Sequence, residues 1–310
     1  MSEAIQNPDR SSVPLVSVVV PAYNAETHIL EAIESIDVQH GNFQTEIIVV
    51  DDGSIDRTRS IVQEVKHVKL VSQANAGPSA ARNRGIAASR GDFIAFLDAD
   101  DIWPPGKLAA QLAVFDHYPE VGLVFGDCRI FTESGEQPYT LFESEKLGPD
   151  FWGSAGIVVD AYQKLFRTNY IPTGSVLVRK ACFAKTGLFD EDRRLVEDKE
   201  LWFRFALQCQ IGYTSQLCEL KREHEHNVSS DREGMALAHV DVLREQLRAH
   251  PDGVRGCGVN VRAKISYEYS ILGDWRERDG DVRAARAWYK KALFAYPSIR
   301  PLYYWLRTWL

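Results

Sequence analysis

Three carboxylates that follow a short apolar run are the residues of this sequence best suited to bind a cation. Asp98, Asp100 and Asp101 come directly after Phe93–Leu97, which is too short for a helix and typical of a strand buried on both faces. Because adjacent carboxylates repel one another, a cation is expected among them. Such oxygen ligands suit Mg²⁺ or Mn²⁺, which commonly join a protein to a diphosphate. The alternative is a solvated acidic turn, but ligands of open α/β sheets bind beyond the carboxyl ends of strands, where these acids lie.

Strands and helices alternate around this stretch. The buried strands predicted in the first half of the chain are Val16–Pro21, Glu46–Val50, Val68–Ser72 and Phe93–Leu97. Helices are predicted over Ala25–Val38 and after Asp56, Gly77-Pro78 and Pro104-Pro105. Such alternation predicts an α/β fold with a mostly parallel sheet and helices on both faces. The alternation then fades, with strands expected at 121–125, 175–178 and 213–220, a helix at 197–209 and a loop at 132–156.

Composition excludes several classes of protein. The chain has 310 residues and a net charge of −7, which argues against a nucleic-acid binder, because such proteins are normally basic. Its five cysteines form no C-x-x-C pair, so reduced thiols of a cytosolic protein are expected. The polar start lacks the apolar core of a signal peptide, and no apolar run approaches the roughly 18 residues that span a bilayer. A cytoplasmic protein, in contact at most with a membrane surface, is therefore expected.

Four sequence features fall at the predicted strand ends. They are Pro21-Ala-Tyr23-Asn24, Asp51-Asp52-Gly53-Ser54, Ala76-Gly77-Pro78-Ser79-Ala80-Ala81-Arg82-Asn83 and Asp98-Ala-Asp100. Each is weak alone, but in this order and spacing they resemble the inverting glycosyltransferases of family 2, which have the GT-A nucleotide-diphospho-sugar transferase fold. The resemblance covers roughly residues 15–230.

The resemblance implies a role for each of these motifs. The residues expected to bind the nucleotide are Pro21, Tyr23, Asn24, Asp51, Asp52, Arg82 and Asp98. Tyr23 would stack on a pyrimidine and Asp52 would accept the imide proton of uracil. Arg82, a permanent cation, would either neutralise phosphate or fix the carboxylates. Asp100 would hold Mn²⁺ or Mg²⁺ on the diphosphate. Asp51 as a turn cap and Arg82 as a partner of Asp98 are the structural alternatives.

The second half resembles the family in two further motifs. Val196-Glu197-Asp198-Lys199-Glu200-Leu201-Trp202 matches its E-D-x-x-L-W signature, which implies Asp198 as the catalytic base with Glu197 and Trp202 supporting the base or the acceptor. On physical grounds alone, Asp198 could be a first-turn charge of a helix. Arg222-Glu-His224-Glu-His226-Asn227-Val-Ser229 matches R-x-H-x-x-N-x-S, which brings His224 to the metal or diphosphate. Trp152 and Trp202 are candidate sugar-stacking rings.

The domain plan follows from these elements. We expect a disordered lead-in at 1–14, a nucleotide-sugar-binding half at 15–118, an acceptor-binding half at 119–230 and a helical extension at 231–310. The extension matches the tetratricopeptide pattern at Tyr269, Leu272, Gly273, Gly280, Ala285, Tyr289, Ala292 and Pro297, with Arg276 departing from it. Either it docks on the catalytic domain or it binds a partner. In its last helix Leu302, Trp305, Leu306 and Trp309 share one face, which would seal the preceding helices or touch a membrane.

The expected activity is therefore metal-dependent, inverting transfer of a sugar from a nucleotide sugar, taken to be UDP-linked, to a hydroxyl of a glycan or lipid-linked glycan. Two alternatives stand beside it. A nucleotidyltransferase would normally carry a Gly-rich basic loop after the first strand, and Pro21-Ala-Tyr23-Asn24 is no such loop. A non-catalytic nucleotide-sugar-binding scaffold with a partner-binding helical tail would not need Asp98, Asp100, Asp198 and His224 intact. The sequence has neither a GxGxxG fingerprint after the first strand nor a P-loop.

Overall fold

The structure of the chain, a computed structural model, describes residues 13–224, 231–256 and 258–309, and these residues form two compact units. The larger unit falls within Met1–Ala161 and Asn169–Glu225. The smaller falls within Tyr162–Thr168 and His226–Leu310.

A mixed sheet forms the centre of the larger unit. In chain order its described strands are β1 (Leu15–Ala22), β2 (Gln44–Asp51), β3 (Val68–Ser72), β4 (Phe93–Phe96), β5 (Val121–Thr132), β6 (Gly135–Glu136), β7 (Leu177–Arg179) and β8 (Gln210–Arg222). They lie in the order β3-β2-β1-β4-β7-β5-β6, and β8 pairs with β5. The neighbours among β1 to β4 are parallel, as are β5 and β8, whereas β7 runs antiparallel to β4 and β5. The predicted α/β fold with a mostly parallel sheet is confirmed.

Helices connect these strands. In chain order, those described before residue 210 are α1 (Ile29–Asp37), α2 (Thr58–Glu64), α3 (Pro78–Ala88), α4 (Lys107–His117), α5 (Leu141–Ser144), α6 (Pro149–Trp152), α7 (Ala161–Leu165), α8 (Phe183–Thr186) and α9 (Glu197–Gln208). The stretch 132–156, predicted to be loop, instead contains β6, α5 and α6. Thr140 caps α5 by a reciprocal capping box with Glu143, a signal that the prediction missed.

The core of this unit explains why the first strands carry no polar alternation. Val16, Val18 and Val20 of β1 are completely buried, and they belong to one apolar cluster with Ile29 and Ile33 of α1. A strand covered on both faces needs apolar residues at consecutive positions, which is the pattern that the sequence shows. The carboxyl ends of β1, β2 and β4 thereby come to one edge of the sheet.

The smaller unit is helical. Its described helices after residue 230 are α10 (Arg232–Ala249), α11 (Pro251–Gly256), α12 (Val261–Arg278), α13 (Val282–Ala295) and α14 (Ile299–Arg307). α12 and α13 form a hairpin in which Gly273 is required, because a Cβ there would lie 2.4 Å from Cε1 of Tyr289. The Tyr289 hydroxyl donates to Asp274 at 2.7 Å. The hairpin agrees with the helix pair that the repeat pattern predicts, and its assignment as a tetratricopeptide unit stays a prediction.

The face through which α14 packs differs from the prediction. The face expected to seal the preceding helices comprises Leu302, Trp305, Leu306 and Trp309. Leu302, Leu306 and Trp309 are exposed, and Trp305 is half-buried. The Arg286 guanidinium of α13 nevertheless lies 3.6 Å from the centroid of the Trp309 ring. The helix packs instead through the adjacent face, where Tyr304 stacks on Tyr289 with ring centroids 5.5 Å apart and Thr308 is buried. A short helix can bury only one stripe, and here the tyrosine stack takes it.

Candidate active site

The turns after β1 and β2 hold each other in place. Asn24, with φ of 50°, accepts a hydrogen bond from the backbone N–H of Ile55 on its Oδ1 at 3.0 Å, and its own N–H donates to Ser54 Oγ at 3.0 Å. Ser54 N–H donates to Asp51 Oδ1, also at 3.0 Å, so Asp51 acts as a turn cap here. Tyr23 is 52% exposed between these turns, which leaves its ring available to a planar ligand.

Asp52 is buried and already accepts three hydrogen bonds. Its Oδ1 receives Gln73 Nε2 and the N–H of Ala76, and its Oδ2 receives the N–H of Gly77, each at 2.8 Å. A carboxylate offers about four lone-pair positions, so one on Oδ2 remains. Asp52 therefore anchors the loop that enters α3, and a bound nucleobase could use only that remaining lone-pair position on Oδ2.

Arg82 of α3 joins two carboxylates from distant parts of the chain. Its Nη2 donates to Asp98 Oδ1 at 2.8 Å, and its Nη1 donates to Glu197 Oε1 at 2.7 Å. The side chain is only 6% exposed. Of the two predicted roles for Arg82, this structure shows the fixing of carboxylates.

The ionisation of this group of charges follows from the shared guanidinium. Burial alone would raise the pKa of Asp98, but Arg82 outweighs it and lowers that pKa below its ordinary value. The pKa of Glu197 is raised, because burial and the neighbouring Asp198 outweigh the attraction of Arg82. The carboxylate at the end of β4 is thus held ionised, whereas the one at the start of α9 is easier to protonate.

Asp100 and His224 form a second pair at the same edge. Asp100 Oδ2 lies 2.9 Å from His224 Nε2. The end of β8 is fixed to this loop by Arg222, whose N–H donates to Asp101 Oδ1 at 2.7 Å and whose Nε donates to the Asp100 carbonyl at 2.8 Å. Arg222 also pairs with Glu31 of α1. The structure therefore brings together the acidic motif and the histidine motif, which are 124 positions apart in sequence.

The chemistry of this pair fits a divalent cation. The Asp100 carboxylate is an oxygen ligand of the kind that Mg²⁺ and Mn²⁺ prefer, and His224 Nε2, 2.9 Å from it, would add a nitrogen. Mg²⁺ in particular is often held by only one or two carboxylates, with substrate phosphates and water completing its shell. In the described parts of the chain no cluster of three or more His, Cys, Asp or Glu side chains could hold a metal ion. The protein would thus supply two ligands, and a diphosphate would have to supply others.

Asp198 lies in the first turn of α9. Val196 before it has φ of 61°, an uncommon conformation for a β-branched residue that turns the chain sharply into the helix. The Asp198 carboxylate accepts hydrogen bonds from Asn169 Nδ2 and Thr173 Oγ1, each at 3.3 Å and both on Oδ2. Its Oδ1 accepts the N–H of Lys199 at 2.6 Å. Because Glu197 is adjacent and bonded to Arg82, Asp198 lies near the Asp98 end of the site.

The expectation that Trp152 and Trp202 offer rings to a sugar is contradicted by their burial. Trp202 is fully buried, and its Nε1 donates to the Ile171 carbonyl at 3.0 Å. Trp152 is 2% exposed and stacks on Tyr213 in an aromatic cluster. Large aromatic rings contribute most when they are fully removed from water, and both are core residues. His226, Asn227 and Ser229 of the histidine motif lie outside the described residues.

Sequence reasoning missed several residues of this site. Asn169 and Thr173 contact Asp198, and Glu219 is a buried carboxyl near the acidic motif. A Cβ on Gly174 would lie 2.4 Å from Glu219 Oε1, which explains a glycine at that position. None of these pairings follows a fixed spacing. Only Glu219 carried a signal, as an acid within an otherwise apolar stretch of β8.

Comparison with known sequences identifies related proteins. Residues 17–179 match the profile of the family described as "Glycosyl transferase family 2". An uncharacterized glycosyltransferase of Rickettsia felis is 32% identical over 201 residues, which cover 64% of this chain and 31% of that protein. One from Rickettsia typhi is 26% identical over 214 residues, covering 68% of this chain and 65% of the relative. The chain thus spans about a third of the first relative and under two thirds of the second.

Solved structures share the fold. The crystal structure of S. aureus TarS 1-349 has a TM-score of 0.64 at 19% identity, covering 95% of this chain and 88% of that one. The mannosyltransferase PcManGT from Pyrobaculum calidifontis, in complex with GDP-Man and Mn²⁺, has a TM-score of 0.60 at 18% identity, covering 97% and 81%. TarS 1-349 has also been solved with UDP-GlcNAc. At these identities the likeness establishes the fold alone.

Proposed function

The chain belongs to glycosyl transferase family 2, and from that premise we propose that it transfers one sugar from a nucleotide sugar, UDP-linked, to a hydroxyl of a glycan or lipid-linked glycan with inversion at the anomeric carbon. Its enzyme class, glycosyltransferase, follows from the family. The donor, the acceptor and the dependence on metal are the proposal. The observation that carries it is the Arg82 bridge, which puts Asp98 and Glu197 on one guanidinium. Asp98, proposed to bind the donor, and α9, which carries the proposed base Asp198, are thereby held together.

The proposed reaction is a single displacement. Asp198 takes the proton of the acceptor hydroxyl while that oxygen attacks the anomeric carbon, and the bond from that carbon to the diphosphate oxygen breaks. The electron pair leaves with the nucleoside diphosphate. Because attack and departure occur on opposite faces of the sugar, the configuration inverts and no covalent sugar–enzyme intermediate is needed. Glu197 is bonded to Arg82, and we assign it a supporting role beside the base.

Asp100 and His224 are proposed to hold a divalent cation, Mn²⁺ or Mg²⁺. When bound, such a cation supplies Lewis-acid stabilisation of the charge on the departing diphosphate. Arg222 positions both ligands by its bonds to the acidic loop, and it carries the strand that leads to His224. PcManGT was solved with Mn²⁺, which supports use of a divalent metal in proteins of this fold.

The nucleotide is proposed to lie across the ends of β1, β2 and β4. Tyr23 offers an exposed ring for the base, with Pro21 and Asn24 shaping the turn that carries it. Asp98 would accept hydrogen bonds from the ribose hydroxyls. Asp51 and Asp52 would act mainly by holding the turn and the loop before α3, and the open position on Asp52 Oδ2 would accept the uracil imide proton.

A peripheral membrane contact through α14 is proposed for a lipid-linked acceptor. No helix in the described ranges is both long enough and apolar enough to cross a membrane. On α14, Ile299, Leu302, Tyr303 and Leu306 form an exposed apolar stripe, and Arg307 lies beside it. Arg307 also pairs with Glu277, so the apolar stripe is the main support for a contact with a lipid interface. We propose that the enzyme works in the cytoplasm at that surface.

Nucleotide release tests the central proposal. The protein is incubated with a panel of UDP-, GDP- and ADP-sugars and Mn²⁺, and release of nucleoside diphosphate is measured with and without candidate acceptors. We expect release from a UDP-sugar and a fall of about two to four orders of magnitude in Asp198→Asn, with donor affinity unchanged. Equal turnover by Asp198→Asn would refute its role as base, and release of pyrophosphate from a sugar phosphate and UTP would indicate a nucleotidyltransferase.

A further inference from the structure

The segment from Asn169 to Thr173 runs over the first turns of α9, with two side chains on Asp198. Asn169 Nδ2 and Thr173 Oγ1 donate to the same oxygen, Oδ2, at 3.3 Å each. Nothing in the family resemblance involves these two residues. A carboxylate oxygen has about two lone-pair positions, so two donors occupy Oδ2. Within the described ranges the other oxygen, Oδ1, accepts the N–H of Lys199 alone and keeps one position.

The orientation of the Asn169 amide is set by Asp198. Its Oδ1 is buried and has no hydrogen-bond partner among the described residues. Turning the amide over would give Nδ2 the buried position and place Oδ1 against the Asp198 carboxylate, which is acceptor against acceptor. A buried acceptor without a partner is destabilising, and such groups are rare in folded proteins. The chain therefore tolerates an unfavourable position for one atom of Asn169 to direct its amide at Asp198.

Two tryptophans fix the backbone of this segment. Trp202 lies one helical turn after Asp198 on the same face of α9, and its Nε1 donates to the Ile171 carbonyl at 3.0 Å. Trp103 Nε1 donates to the Gly174 carbonyl at 2.8 Å. Thr173 thus lies between two carbonyls that indole groups hold. The burial of Trp202, which contradicts a sugar-stacking role, gives it this other one.

We infer that Asn169 and Thr173 are positioning residues that occupy Oδ2 of Asp198 and leave Oδ1 as the atom that takes the acceptor proton. The inference rests on the proposed role of Asp198 as base. Among the described residues, Glu197 and Lys199 flank Asp198 in sequence and Arg82 bonds Glu197. The donors that the described part of the chain directs at Oδ2 are the two uncharged groups of Asn169 and Thr173, so we assign the direction of Oδ2 to them.

Near-isosteric substitutions test this assignment in the full chain. Asn169→Leu and Thr173→Val remove one donor each and keep the volume. We expect turnover to fall by about ten- to a hundredfold, as for a reacting group misplaced by a fraction of an ångström to one ångström. Donor affinity, measured by calorimetry with the UDP-sugar and Mn²⁺, stays within about twofold. Thr173→Ser keeps the hydroxyl and is expected to restore most of the turnover.

Stability separates a positioning role from a structural one. Asn169→Leu removes the buried unpartnered oxygen, so its melting temperature is expected to equal or exceed that of the wild type while its turnover falls. Thr214→Val is the matched control, because among the described residues the Thr214 hydroxyl bonds only locally, accepting the Gln216 N–H in β8. It should change neither property.

Three results would overturn the inference. The first is turnover within about twofold of wild type in folded Asn169→Leu and Thr173→Val. The second is an equal loss of donor affinity and turnover, which would indicate a general structural role. The third is failure of Thr173→Ser to restore the turnover that Thr173→Val loses. Full activity of Asp198→Asn would instead refute the proposed role of Asp198 as the base. That result is distinct from the three above, because it comes from a different variant.

Discussion

Replacing Arg82 by methionine should destabilise the larger unit by an amount that depends on pH. The guanidinium is 6% exposed and donates to Asp98 and Glu197, so its removal leaves two carboxylates without their cation. Removing one partner of a buried ion pair costs about 3–5 kcal/mol. The Asp98 side chain is 36% exposed, and water therefore screens part of that cost. We take the lower end, about 3 kcal/mol at neutral pH.

The sign of the pH dependence follows from Asp98. Arg82 lowers the folded-state pKa of Asp98 against the opposing effect of burial. A lowered pKa contributes stability that is present above the unfolded value, about 3.9, and is lost as pH falls through the folded value. Arg82→Met lacks this contribution at every pH. The difference in stability between wild type and variant should therefore be widest near pH 7 and narrow below about pH 4.

Thermal melts followed by circular dichroism measure this difference. For a unit of this size about 3 kcal/mol corresponds to a fall of about 6–12 °C in the melting temperature. Arg84→Met is the matched control, because Arg84 is on the same helix but exposed. Adding Glu197→Gln to Arg82→Met should recover part of the loss, since it removes one unpaired carboxylate. Two results would refute the role assigned to Arg82. One is an Arg82→Met melting temperature within about 2 °C of wild type at pH 7, and the other is a difference in melting temperature that stays constant down to about pH 3.5.

Three further predictions concern other parts of the chain. Asp100→Ala should abolish transfer and metal-dependent UDP binding in calorimetry without lowering the melting temperature, and full wild-type activity in a chelator would contradict the Asp100–His224 site. Burial lowers the pKa of Lys107 to about 8, so the free energy of unfolding of the wild type should fall as pH drops from about 10.5 to 8 and then level off. Denaturant titrations at several pH values should show this slope in the wild type and not in Lys107→Met. Leu302→Glu with Leu306→Glu should abolish sedimentation with anionic liposomes and leave the melt unchanged; liposome binding that survives the double variant would exclude the α14 stripe.

The sequence predicts the sheet and the acidic residues at the carboxyl ends of its strands, because both depend on local patterns. Consecutive apolar residues such as Val16–Val20 are compatible with a strand buried on both faces, and the acids after Phe96 must then emerge at its carboxyl end. The resemblance to the family placed Arg82, Asp198 and His224 in one site before any distance was known. In the structure Arg82 bonds Asp98 and Glu197, the neighbour of Asp198, and His224 lies against Asp100; the grouping of all three in one site stays a prediction.

What sequence could not predict are contacts between segments with no fixed spacing. Asn169 and Thr173 reach Asp198 only because Trp202 and Trp103 hold the intervening backbone, and no local pattern encodes such an arrangement. The same cause explains the wrong prediction for Trp202, because an aromatic residue next to a catalytic motif looks alike whether it faces a ligand or the core. The packing face of α14 was missed similarly, since a helix with apolar residues on two faces has two possible orientations.

The acidic motif that first suggested a metal divides into three residues with different partners. Asp98 is bonded to Arg82, Asp100 to His224, and Asp101 to the backbone N–H of Arg222. Burial, together with Glu219 and the two neighbouring carboxylates, raises the pKa of Asp101 well above its ordinary value. The three acids therefore need not all carry charge at once, and the repulsion expected from their spacing is relieved by the Arg82 guanidinium on Asp98 and by the easily protonated Asp101 carboxyl.

The acidic motif therefore needs less positive charge from a metal ion than its three adjacent carboxylates suggest. A cation that had to neutralise three adjacent carboxylates would be bound tightly by the protein alone. A site in which only Asp100 and His224 face the ligand holds a divalent ion weakly until a diphosphate adds its own oxygens. Metal and donor should therefore bind cooperatively, each raising the affinity for the other by the same factor, as linkage requires. Calorimetric titration of UDP with and without Mn²⁺, and of Mn²⁺ with and without UDP, would give those two factors. Factors close to one, or tight binding of Mn²⁺ alone, would contradict this division of the motif.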